Sequence, residues 1–237
     1  MNVPVSIPAK PRVSIRLKSL GKKAPARRVP KGARTRESIL HVAVNLASVE
    51  GLEGISIGRL ADELRMSKSG LFAHFGSKED LQLATVDAAR EIFIEHVVRP
   101  ALAQPKGMPR LWSLCDNWLG YVEQRVFAGG CFFAAASFEF DSRPGPVRNR
   151  IVMAMKEWLD MLTRAIEDAK QLGDIKVSVD PRQLALEIYS LAIGALWGFQ
   201  LLGEKKALDN ARTAILSRLR TLVASPAKRR SSRKSAR

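Results

Sequence analysis

Apolar residues recur at helical spacing along almost the whole body of this 237-residue chain, and no stretch alternates apolar and polar residues convincingly with period two. That pattern argues against a sheet and predicts an all-α fold. Ile39, Val42, Ala43, Leu46 and Val49 fall at offsets 0, 3, 4, 7 and 10, the buried stripe of a first helix that Gly51 can stop. Ser56 offers an N-cap for a second helix of about two turns, with Ile57, Leu60, Ala61 and Leu64 on one face. Ser67 offers the next cap, Leu71 and Phe75 at i, i+4 mark the buried side of a short third helix, and Gly76 breaks it. Ser77-Lys78-Glu79-Asp80 then opens a longer helix, with a cap and two acids in its first turn, predicted to end at Val98 before Pro100.

Beyond a Pro/Gly-rich stretch, the same punctuation predicts helices over 109–127, 131–140, 145–172, 181–202 and 205–223. Asp180-Pro181-Arg182-Gln183 is a strong start signal, with an N-cap Asp, Pro at N1 and Gln at N3. No repeat of fixed period is visible, which argues against a solenoid.

The charge is unevenly placed. Residues 1–36 hold eleven Lys and Arg and residues 226–237 hold six, with no acid in either; the other 22 basic and 23 acidic residues nearly cancel. The formal excess of +16 therefore sits on two flanks rich in Pro, Ser, Ala and Gly, predicted to be disordered arms suited to polyanions. Such arms can track phosphates or lay Arg in a minor groove; a solubility tail is the plainer alternative. The longest apolar run, 188–202, is too short for a bilayer, so no membrane role is expected. Cys115 and Cys131 form no metal or disulfide pattern, which points to a reducing cytoplasm without a metal site or cofactor.

A two-turn helix, a tight connection and a second short helix led by small polar and basic residues is the helix-turn-helix arrangement. The second helix can enter a major groove if its exposed start is narrow and hydrogen-bonding, which Ser67-Lys68-Ser69-Gly70 supplies. Spacing alone fits a helical hairpin in an ordinary bundle equally well.

The segment "TRESILHVAVNLASVEGLEGISIGRLADELRMSKSGLFAHFGSKEDL", residues 35–81, resembles the DNA-binding domain of the TetR/AcrR family of bacterial transcriptional regulators. The resemblance implies an N-terminal three-helix DNA-binding domain joined through a linking helix to a C-terminal helical ligand-binding and dimerisation domain. On this reading residues 1–33 are a basic arm, 34–80 the DNA-binding domain, 81–224 the ligand-binding and dimerisation domain, and 225–237 a basic tail. The family resemblance also makes Lys68, Ser69 and Gly70 the expected approach to base edges and Arg36, Ser56, Ser67, His74 and Lys78 the expected phosphate contacts. Two departures stand out: Phe72 replaces the usual tyrosine and is expected to pack apolar against sugar, and Arg65 occupies a turn position where glycine is common. His41 and His96, isolated on other helices, support no metal.

Twelve of the fifteen aromatic residues lie between Trp112 and Phe199, more than a structural bundle requires. A cavity for a small apolar or aromatic effector is therefore expected, with Trp112, Trp118, Phe127, Phe132, Phe133, Phe138, Trp158 and Trp197 as candidate walls. Glu139, Asn117 and Gln200 are candidate polar handles, and Gly129-Gly130-Cys131 resembles a helix break of one TetR subgroup, which implies a kink near the cavity. Residues 184–202 are apolar almost all round, with Gly194 and Gly198 four apart, and Ile215, Leu219 and Leu222 stripe the final helix. A homodimer through these last two helices is the expectation, against burial within one chain. The predicted function is a cytoplasmic, ligand-responsive repressor that occludes a double-stranded DNA operator as a dimer. The alternatives are a non-specific architectural DNA binder driven by its arms, or an enzyme in the C-terminal bundle. No GxSxG, GxGxxG or Walker loop supports an enzyme.

Overall fold

A computed structural model describes residues 31–224, so the arm predicted at 1–33, up to residue 30, and the tail predicted at 225–237 lie outside the described residues. Helices α1 (Lys31–Glu50), α2 (Ile57–Leu64) and α3 (Lys68–Phe75) form the first unit. Their ends are closed by the serines that the sequence offers. Ser56 Oγ accepts from the Arg59 amide at 3.1 Å, Ser67 Oγ from Gly70 at 3.1 Å, and Ser77 Oγ from Asp80 at 3.0 Å. Each bond satisfies one of the amides that a helix start leaves without an intrahelical acceptor. Helix α1 begins at Lys31, ahead of the boundary expected at residue 34, because Lys, Ala and Arg are good helix formers and no breaker stands among them after Gly32.

The turn between α2 and α3 explains the unusual Arg65. It is the C-cap of α2 at φ 52°, ψ 39°, in the left-handed region, and its amide donates to the Ala61 and Asp62 carbonyls. A residue with a Cβ is held there at a cost of about 1 kcal/mol.

Helix α4 (Lys78–Phe93) runs without a break into a π turn, Ile94–Val98, and then α5 (Arg99–Leu102). The helix thus passes through Pro100 instead of stopping before it, as the sequence pattern had suggested. Proline removes an amide and crowds the carbonyl four residues back. Widening the preceding turn relieves both: the Arg99 amide bonds five residues back to Ile94, and the Asn117 side chain donates to the Val97 carbonyl at 3.1 Å.

Helices α6 (Met108–Glu123), α7 (Phe132–Phe140), α8 (Pro146–Gln171), α9 (Pro181–Gln200) and α10 (Ala207–Leu222) complete the bundle. Four of the five match the expected segments to within a few residues; α6 stops at Glu123, short of the expected 127. Asp180 caps α9 as predicted, accepting from the Arg182 and Gln183 amides. The start of α6 is closed from a distance, since the Met108 amide donates to Asp174 Oδ2 at 2.9 Å across the chain. Helix α8 lies centrally against α4, α6, α7 and α9, and α10 packs on α9 and α6. Arg212 on α10 fastens that last contact through Asp116 at 2.8 Å and Glu123 at 2.7 Å on α6.

Replacing Arg65 by glycine removes the Cβ that opposes the left-handed turn and leaves the backbone bonds intact. Arg65→Gly is expected to raise the unfolding free energy in urea by about 1 kcal/mol with the slope unchanged.

Candidate nucleic-acid interface and cavity

Helix α3 is built to show one end and hide one side. Leu71 and Phe75 are buried, together with Leu60 and Ala61 of α2, so the pair is clamped by its apolar faces. Lys68 and Ser69 are exposed at the start of α3, Gly70 is half-buried, and Ser69 Oγ donates to Ser67 Oγ at 3.4 Å. The Lys68 side chain lies over Gly58 of α2, where an added Cβ would stand 3.5 Å from its Cε. Phe72 is 54% exposed, a large apolar ring on the open face of the helix. This arrangement gives an exposed helix start with a cation and a hydroxyl, backed by an apolar anchor.

The flanking candidates are held less freely. Ser56 and Ser67 are engaged as caps, and half-buried His74 sits with its ring 6.3 Å from that of Phe75. Arg36 places its guanidinium 5.1 Å from the centre of the Phe75 ring, a cation–π contact that anchors the exposed end of its side chain. Lys78 donates to Glu53 at 2.7 Å, and the Gln82 amide reaches the same carboxylate at 3.0 Å. These bonds, that of Lys78 first, hold the Glu53 carboxyl below its ordinary 4.5.

Behind this unit runs a seam to the second one. The two Glu139 carboxylate oxygens of α7 accept from the amides of Leu52 and Glu53, at 2.8 and 2.9 Å, in the loop after α1. Ala128 donates to Asn45 Oδ1 and Gly129 to Ser48 Oγ, both on α1. A Cβ on Gly129 would lie 1.7 Å from the Ser48 carbonyl oxygen, so the backbones meet there at a distance only glycine allows.

The aromatic region encloses a cavity of about 70 Å³ between α4, α6, α7, α8 and α9. Of the expected walls, Trp118, Phe133 and Trp158 line it. Phe127 and Phe132 are buried in the core beside it, and Trp112 is half-buried outside it. Phe138 and Trp197 are 66% and 57% exposed, on outer faces away from the cavity, because α7 and α9 present their other sides to the bundle. The sequence pattern did not single out Phe93, Ile94, Val98, Met155, Met161 and Tyr189, which line it as well. The π turn brings Ile94 and Val98 there, and ordinary helical periodicity carries no sign of it. The expected polar handles are occupied elsewhere: Glu139 in the seam, and Asn117 on the Val97 carbonyl and Ser113. Gln200 is exposed, its side chain against Gly130. Cys131, at the kink, does reach the cavity, and burial pushes its thiol up from 9.0.

The stripe Ile215, Leu219 and Leu222 is buried within the chain, where α10 packs on α9, so it is not an outer face for a second copy. The outer face of α9 remains open, with Leu186, Leu191 and Trp197 exposed and nothing within 4 Å of a Cβ placed on Gly194. Among the described residues no helix is long and apolar enough to cross a membrane.

A capped recognition helix seated on a three-helix unit, and joined by one long helix to a second helical bundle, defines a helix-turn-helix DNA-binding regulator. Comparison with known proteins gives the family. Residues 39–85 match the family model "Bacterial regulatory proteins, tetR family", and residues 107–215 match "Tetracyclin repressor-like, C-terminal domain". The chain belongs to the TetR family of transcriptional regulators. The HTH-type transcriptional repressor NemR of Escherichia coli is 22% identical over 195 residues, covering 81% of this chain and 96% of that protein. A TetR transcriptional regulator from Chloroflexus aurantiacus superposes with a TM-score of 0.76 at 28% identity, covering 83% of this chain and 99% of that one. AibR, solved with isovaleryl coenzyme A and operator DNA, shares the fold with a TM-score of 0.62 at 24% identity, covering 76% and 97%.

Two outcomes follow from the seam. Glu139→Ala strips two amides of a charged acceptor and is expected to lower the unfolding free energy by about 2 kcal/mol in urea titration. Glu53 has its carboxyl lowered in the folded state, so its share of stability is present above 4.5 and is lost as pH falls through the lower folded value. The pH dependence of urea unfolding in that acid range should therefore be flatter for Glu53→Gln than for the unaltered chain.

Proposed function

We propose that the chain is a dimeric repressor that occludes a promoter and is released when a small molecule enters the cavity. The observation that carries this reading is the start of α3, where Lys68 and Ser69 are exposed beside half-buried Gly70, held outward by the buried Leu71 and Phe75. Lys68 and Ser69 approach base edges, while the capped starts of α2, α3 and α4 face phosphates. Arg36 and His74 flank that surface and Phe72 packs on sugar. Lys78 exchanges Glu53 for phosphate, a trade between two anionic partners.

The open apolar face of α9 seats the second copy, with Leu186, Leu191, Gly194 and Trp197 at the contact and the polar side of α10 beside it. Two recognition helices related by the dimer axis then read half-sites about 34 Å apart.

Two rods carry the signal from cavity to DNA. Helix α4 starts at Lys78 beside the first unit and puts Arg90 and Phe93, then the π turn, into the cavity wall. Helix α7 puts Phe133 and Ala134 into the same wall and ends with Glu139 on the loop after α1. A guest that widens the cavity moves both rods and changes the spacing of the two tips, favouring the arrangement that fits DNA poorly. AibR, of the same fold, was solved with both isovaleryl coenzyme A and operator DNA, so this fold has room for a small-molecule site and a DNA site on one chain.

The test is an operator selected from random-sequence DNA by the purified full-length protein. Lys68→Ala is expected to weaken its binding by about tenfold or more and to relax the base preference at one position of each half-site. Deleting residues 1–30 should flatten the salt dependence while the preference for operator over random DNA is retained. Loss of that preference on deletion would instead favour an architectural binder driven by its arms.

A further inference from the structure

Helices α7 and α8 also border a groove of about 310 Å³, larger than the cavity and sharing only Met155 with it. That volume reaches the range of about 300–1,000 Å³ in which small-molecule sites fall. From α8 the groove takes Arg148, Ile151, Val152, Met155, Lys156 and Leu159, at offsets 0, 3, 4, 7, 8 and 11, so one face of the helix forms its floor. Phe140 of α7 adds a buried ring, Ile151 is buried, and Val152, Met155 and Leu159 are half-buried. The floor is thus a continuous apolar strip that is still partly open to water.

The polar groups of the groove have unequal calls on them. Ser137 Oγ donates to the Ala134 carbonyl at 3.0 Å, and the Asp141 side chain is exposed. Half-buried Arg148 donates from Nε to the Asp141 carbonyl oxygen at 3.0 Å. This bond orients the guanidinium and leaves its two terminal nitrogens without an acceptor among the described residues. Lys156 is exposed two turns further along, about 12 Å up the helix axis. Among the described residues neither cation is in an ion pair, whereas Arg150 of the same helix is matched by Asp87. Two cations against the one carboxylate of Asp141 leave the groove positive.

An oriented guanidinium with open terminal N–H groups suits a carboxylate, which it can grip with two parallel bonds. A bare anion would leave the apolar strip uncovered, an alcohol would leave the guanidinium unmatched, and an amine would be repelled by both cations. We propose that the groove between α7 and α8 binds an amphipathic carboxylate of the fatty-acid class, its head on Arg148 and its alkyl chain along Ile151, Val152 and Met155. This site goes beyond the proposed function and does not depend on what the cavity holds. Lys156 adds attraction for the anion from the far end of the strip.

Four ligands separate head from tail: octanoate, octanol, octylammonium and butyrate, each titrated into the full-length protein by calorimetry. Octanoate is expected to bind at least about tenfold more tightly than octanol, because a charge-assisted bond is lost with the carboxylate. Butyrate keeps the head and loses four methylenes, and should bind at least about tenfold more weakly than octanoate. Arg148→Gln should remove the preference for octanoate over octanol while octanol affinity stays the same. Arg148→Glu should reverse the order, with octylammonium above octanoate, a gain that an unfolded chain cannot show. Val152→Trp fills the strip and should abolish octanoate binding. Equal binding of octanoate and butyrate would mark a bare anion held elsewhere, for instance on the basic flanks, and would overturn the proposal. So would equal binding of octanoate and octanol, an octanoate preference retained in Arg148→Gln, undiminished binding in Val152→Trp, or no octanoate binding at all.

Discussion

The close approach of Gly129 to the backbone of Ser48 governs how the two halves of this protein meet. Two main chains can come that near only where no side chain intervenes, and the amide of Gly129 then donates to Ser48 Oγ. Once α1 and the loop before α7 are pressed together, Glu139 stands within reach of the Leu52 and Glu53 amides and closes the loop after α1. That loop leads directly to Ser56 and the start of α2, so the seating of the recognition unit is set by a residue of the other bundle. Packed interfaces of this kind have few alternative arrangements, and they pass on a shift as a whole instead of absorbing it.

The cavity sits where both connections to the first unit begin. Helix α4 is continuous from the three-helix unit to the cavity wall, and its π turn widens where Asn117 takes the Val97 carbonyl. Such a turn is a helix segment with a bond pattern already altered, so it can be reshaped without breaking the helix. Helix α7 is short and begins at the Gly129-Gly130-Cys131 kink, with its first turn on the cavity and its last on α1. Stability and the proposed signal thus draw on the same contacts: the aromatic wall holds the bundle together and, in the proposed mechanism, senses what occupies its centre.

Much of the architecture was legible in the residues. Serines at 56, 67 and 77 announce three helix starts, and each accepts from the amide three positions on. Leu60, Ala61, Leu71 and Phe75 mark the buried faces, and all are buried. Where periodicity misled, the cause is specific. Pro100 reads as a stop, yet a π turn carries the helix through it. Ile215, Leu219 and Leu222 read as a dimer stripe, yet they are buried within the same chain, where α10 packs on α9 and α6. Phe138 and Trp197 read as cavity walls because aromatic content was counted by segment, and a helix face cannot be assigned until its neighbours are known.

The sequence by itself determined the local elements: where helices start and stop, which side of each is apolar, and which short helix carries an exposed polar tip. These follow from caps, glycines and spacing, whose effects reach no further than about one turn. Only the tertiary structure decided which aromatic rings share a cavity and which carboxylate closes the loop after α1. Those facts join residues such as Glu139 and Leu52, 87 positions apart, and no local pattern encodes a distance across the chain.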